Sequence, residues 1–178
     1  MHYTDIPFAD CQQGTEGELL LFALDRVHRQ FAWKTGGLNA EQLRRQHPPS
    51  TLTLAGLIKH LTLVEATWTA RALGTSPTPG MDGVDRSADP EWEWRTAVTD
   101  DPKVLYSLWY QTAAHTRGVW AEIVADDRLD ATVAWGSDDY VVNLRRVLVD
   151  ILEENLLHTG HASILREAID GLVGNDPP

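Results

Sequence analysis

Cysteine occurs once, at Cys11. A single thiol forms no disulfide within the chain and cannot build a cysteine-based zinc site. That usage points to a cytoplasmic protein. Basic residues are also scarce: 15 Lys and Arg face 26 Asp and Glu, giving a formal net charge of -11. A surface this acidic repels nucleic-acid phosphates and anionic lipid, so no nucleic acid and no membrane is expected as partner. No apolar run approaches the ~18 residues needed to span a bilayer. The stretch Met1 to Gln13 carries Asp5 and Asp10 and has no apolar segment, unlike a secretory signal. There is no internal repeat and no low-complexity tract.

What is present is an ordinary globular composition. The 178 residues are 43% hydrophobic, enough for one domain over 1–178 that buries a core without staples. Seven tryptophans are many for this length. They are expected to pack between helices, with some free to line a ligand pocket.

Four long helical patterns stand out. The first starts at Thr15, with Glu18 three residues on as a capping box. Leu20, Leu24, Val27 and Phe31 follow at helical spacing, and Gly36 and Gly37 stop it. A short helix is expected over Asn39 to Gln46, ending before Pro48 and Pro49. The second long helix begins near Ser50 or Thr53, with a stripe of Leu54, Leu57, Ile58, Leu61, Val64 and Trp68, and ends at Gly74. Thr75 to Asp100 is rich in Pro, Gly and Asp and reads as a long irregular connection.

The third opens with Asp101 as N-cap and Pro102 at the first helical position. Its buried face is expected to carry Leu105, Leu108, Trp109, Thr112, Val119, Trp120 and Ile123. Asp126 to Tyr140 is polar, with a short β-like piece at Ala131 to Trp135. The fourth runs from about Asn143 to Ile169, stopped by Gly171, and the tail Asn175 to Pro178 is expected to fray. Four long helices without a convincing sheet predict an all-α fold, a four-helix bundle with long connecting loops.

The fourth helix puts polar residues where the core should be. Glu154, His158 and His161 lie within roughly 60° of one another at 3.6 residues per turn. A Glu–His pair four apart is by itself an ordinary surface pair. Here the stripe continues into apolar residues on both sides, where a carboxylate beside imidazoles is costly unless paired or bound to metal. On the second helix His60 sits on or beside the buried stripe, three after Leu57. His60, Glu154 and His158 are therefore candidate metal ligands from two facing helices, and a three-ligand site keeps a position open for water or substrate.

Other residues stay open at this point. His115, seven after Leu108, faces the core side of the third helix on this count, as a fourth ligand, a pocket group or a packing residue. Asp150 either orients a ligand histidine or edges the solvent. Trp68 is a candidate pocket wall.

The stretches TLAGLIKHLTLVEATW and LEENLLHTGHASILREAIDG resemble the DinB superfamily. Within it they are similar to the actinobacterial branch related to mycothiol-dependent maleylpyruvate isomerases. The resemblance covers nearly the whole chain. It implies a four-helix bundle with a central metal, His60 as the ligand of the second helix, and Glu154 and His158 in place of two histidines four apart. Gly160 matches a family glycine, and His161 stands where glutamine is common. His161 is thereby a pocket residue, and a competing ligand if Glu154 turns outward. Arg166 reads equally as an anion-binding group and as a partner in a salt bridge with Glu167 or another acid.

A His-Glu-His set suits Zn²⁺ first, and also Ni²⁺, Fe²⁺ or Mn²⁺. The resemblance implies a low-molecular-weight thiol such as mycothiol, activated at the metal, attacking a small electrophile in an S-transferase or isomerase reaction. It also implies a homodimer. Metal-bound hydroxide, giving a small-molecule hydrolase, and a non-enzymatic metal-binding stress-response protein are the alternatives.

Overall fold

The computed structural model describes residues 2–75, 88–137 and 139–178. The chain order is α1 (Glu16–Thr35), α2 (Ala40–Arg44), α3 (Leu54–Ala72), α4 (Trp92–Ala97), α5 (Pro102–Ala125), β1 (Thr132–Ala134), β2 (Val141–Asn143) and α6 (Leu144–Asp170), preceded by one turn of 3-10 helix at Tyr3–Asp5. None of the helices among the described residues is long and apolar enough to cross a membrane.

The caps fall where the sequence puts them. Thr15 Oγ1 accepts from Glu18 N while Glu18 Oε2 accepts from Thr15 N, closing the capping box of α1. Thr53, Asp101 and Asn143 cap α3, α5 and α6 with side-chain oxygens. Gly171, at φ 80°, ends α6 in the left-handed conformation that a residue with Cβ adopts at a cost.

α1, α3, α5 and α6 form the bundle. α1 and α3 lie across a diagonal, each packed on both α5 and α6. The core has two apolar halves. One gathers Phe31, Leu57, Leu61, Trp109 and Leu165. The other gathers Leu24, Val27, Trp120, Ile123, Val147 and Ile151. Between them on every helix runs a belt of buried polar residues: His28, Glu65 and Thr69, Thr116, and Asn155 and Thr159. At its centre Glu65 Oε1 lies 2.9 Å from His28 Nε2, across the diagonal, and accepts from Asn155 Nδ2 at 3.1 Å. The two partners of Oε1 offset part of the cost of burying this carboxylate, whose Oε2 has no hydrogen-bond partner among the described residues.

Four expectations change. Leu108 is 38% exposed and so lies outside the buried face of α5. The polar segment after α5 contains a real, though small, antiparallel hairpin, with Val133 opposite Val142. Its neighbour Trp135 meets Trp68 edge to face, centroids 6.0 Å apart, and Arg71 lies over the Trp135 ring. The connection after α3 is not irregular throughout: residues 76–87 lie outside the described residues, but its later part folds into α4, which packs on α3. The tail is tied down, because Asp176 accepts from Gln30 and Arg26 of α1.

Candidate metal centre

The centre lies at the rim of the polar belt, where α3 faces α6. Glu154 and His158 are one turn apart on α6, so their side chains reach the same point off the helix. Glu154 Oε2 is 3.3 Å from His158 Nε2 and 3.3 Å from His60 Nε2. The His60 and His158 rings meet edge to face, centroids 4.6 Å apart. Ligand-type atoms of His60, Glu154 and His158 all lie within 4.8 Å of one another, the one such group among the described residues.

The surroundings set the charge states. Burial pushes His158 down to about 4, with His60 and His161 adding to the shift and Glu154 opposing it. At neutral pH His158 is therefore an uncharged imidazole with a lone pair to offer. Glu93 of α4, whose side chain is 1% exposed, places Oε1 3.4 Å from His60 Nδ1. Trp94 lies flat on the His60 ring, centroids 4.7 Å apart and planes inclined by 22°. Two ring nitrogens and a carboxylate oxygen converging on one point call for a cation or a proton between them. Two imidazoles and one carboxylate are the donor set of open zinc sites and suit other first-row divalent ions.

The remaining candidates fall in different places. His161 Nδ1 lies 3.3 Å from His158 Nδ1, on the side of the ring away from Glu154, so it flanks a candidate ligand and does not join the three. Trp68 and Asp150 line a cavity of about 400 Å³ with Arg146, Glu153, Glu154 and Leu157. That cavity opens onto the Glu154 edge of the cluster. Asp150 accepts from Arg146 Nε at 2.5 Å. His115 is exposed on α5, contrary to the core-side placement. The count began from Leu108, itself off the stripe, and carried the error forward two turns.

Arg166 is committed elsewhere. Its Nη1 donates to the carbonyls of Lys34 and Gly36 at the end of α1, at 3.1 and 2.7 Å. Its Nε donates to Asp170, so the acid is Asp170 and not Glu167. Sequence reasoning missed Glu93 and the Glu65 cluster. Glu65 had a signal, being seven after Ile58 and four after Leu61 on the buried stripe of α3. Glu93 had none, since it lies in a connection without periodicity.

A solved structure, the crystal structure of a conserved protein from Enterococcus faecalis, has the same fold, with a TM-score of 0.67 and 16% identity. The match covers 90% of this chain and all of that one. No curated protein matches the sequence significantly. Residues 19–171 match the mycothiol-S-transferase family, a DinB-like family. With most of its length inside that match, including α3, α6 and the three clustered residues, the chain belongs to the mycothiol-S-transferase family.

Proposed function

We propose that the chain is a divalent-metal-dependent S-transferase that joins a low-molecular-weight thiol of mycothiol type to a small electrophile. His60, Glu154 and His158 hold the metal, Zn²⁺ in the first instance. The observation that carries this reading is the convergence of their ligand atoms within 4.8 Å beside an open cavity. A bound divalent ion supplies Lewis acidity, lowering the pKa of a thiol or water brought to it.

The residues of the chain do the rest. His60 and His158, as neutral imidazoles, and Glu154, as the one anionic donor, leave a site charge of about +1 with a divalent ion, which favours an incoming thiolate. Trp68 and Leu157 give the cavity an apolar wall, while Arg146, Asp150 and Glu153 give it polar groups for orienting a substrate. The sulfur comes from outside. Cys11 is on the N-terminal segment ahead of α1, and its Sγ is turned to Gln13 O at 3.6 Å. A cytoplasmic location belongs to the same reading, since low-molecular-weight thiols are kept reduced there.

The test uses untagged protein loaded with Zn²⁺, a mycothiol-type thiol and a fluorogenic alkylating electrophile. Thiol conjugation that needs both metal and thiol is the expected result. Ester hydrolysis by the metal-loaded protein without any thiol would overturn it in favour of a hydrolase.

A further inference from the structure

We infer that Glu93 is a positioning residue for the metal centre, fixing the tautomer and orientation of His60 from the neighbouring helix α4. The inference rests on the metal reading above and adds to it a residue outside the ligand set.

His60 has two ring nitrogens with different neighbours. Nε2 faces Glu154 at 3.3 Å, and Nδ1 faces Glu93 at 3.4 Å. A metal ion at the convergence point would take the lone pair of Nε2, the nitrogen turned toward Glu154, so the proton of His60 would stand on Nδ1, where Glu93 Oε1 can accept it. A histidine that donates its far N–H to a carboxylate is also a more basic ligand, with its ring held in one orientation.

The carboxylate is held in place by the way α4 is fastened to α3. Lys59, next to His60, donates to Thr96 Oγ1 at 2.7 Å and to Asp100 Oδ2 at 2.6 Å. Its ammonium also lies 4.1 Å from the Trp92 ring centroid. Trp94 stacks on His60 from the same short helix. α4 and the residues just after it thus hold α3 at Lys59 and His60 and deliver a carboxylate, itself 1% exposed, to the second nitrogen of the ring. Glu93 is not one of the three converging residues, and it meets the centre at His60 Nδ1.

The experiment compares wild type, Glu93→Gln, Glu93→Ala and Lys59→Met. Zn²⁺ affinity is measured by competition with a chromophoric chelator, and coordination by the visible spectrum of the Co²⁺-loaded protein. Glu93→Ala is expected to weaken Zn²⁺ binding by about 10–100-fold and to alter the Co²⁺ spectrum. Glu93→Gln keeps an acceptor oxygen and should recover part of the affinity. Lys59→Met loosens α4 but keeps the carboxylate, and should weaken Zn²⁺ binding and change the Co²⁺ spectrum less than Glu93→Ala does. Wild-type affinity and spectrum in Glu93→Ala would overturn the inference alone, as would a Lys59→Met protein indistinguishable from Glu93→Ala. A wild-type protein that takes up no metal would sink the metal reading itself.

Discussion

His60 and His158 come from helices far apart in the sequence, yet their rings meet edge to face with planes inclined at 72° and Glu154 Oε2 3.3 Å from each. Two imidazoles and a carboxylate so placed predict that each contributes a bond to one ion. Elemental analysis of untagged protein should find about one divalent ion per chain. His60→Ala, Glu154→Ala and His158→Ala should each lose it on dialysis. Excess metal should raise the thermal midpoint of wild type, by about 2.7 kcal/mol of stability at a hundredfold over Kd, and leave Glu154→Ala unmoved. Full occupancy in any of the three variants removes that residue from the ligand set.

The belt that divides the core makes a separate prediction about stability. Glu65 Oε1 is shared by His28 Nε2 and Asn155 Nδ2, all three side chains buried. Glu65→Ala strands both partners away from water and should cost about 3–5 kcal/mol in urea unfolding. Glu65→Gln keeps one acceptor oxygen and should cost less. Equal losses in the two variants would mean that the position needs the carboxylate itself, since glutamine keeps both the volume and one acceptor oxygen.

These two sites differ in how far the sequence revealed them. His60, Glu154 and His158 were legible because local spacing on two regular helices places them, and local spacing is what a helix enforces. Glu65 was legible in principle, since it sits on the stripe of Ile58 and Leu61, but a charged residue there looks like a break in the pattern until His28 and Asn155 are seen to surround it. His115 went astray because a periodicity count inherits the error of its starting residue, and Leu108 faces outward. Glu93 depends on how a connecting segment docks onto α3, which no period in the chain encodes.

Arg166 predicts a variant with normal chemistry and poor stability. Its guanidinium ties two carbonyls at the end of α1 to Asp170 on α6. Arg166→Met preserves much of the apolar volume and removes every donor. A loss of about 3 kcal/mol is expected, with metal content unchanged. If unfolding is unaffected while turnover of an anionic electrophile falls, the side chain is serving a ligand and not the end of α1.

Gly56 gives the sharpest link between packing and the site. A Cβ at this position would lie 2.8 Å from Trp94 Cε3 and 3.2 Å from Thr53 Oγ1. The same Trp94 ring is stacked on His60, centroids 4.7 Å apart, so a shift of the ring is felt at the ligand. On helix propensity alone Gly56→Ala should stabilise α3 by roughly 1 kcal/mol. The clash opposes that gain and pushes the ring that braces His60. The expected outcome is a thermal midpoint no higher than wild type, a changed near-ultraviolet circular dichroism spectrum, and weaker metal binding although no ligand has been touched. A variant that gains the full propensity term and keeps wild-type metal affinity would show that Trp94 shifts freely and that its stacking on His60 has no part in holding the ligand.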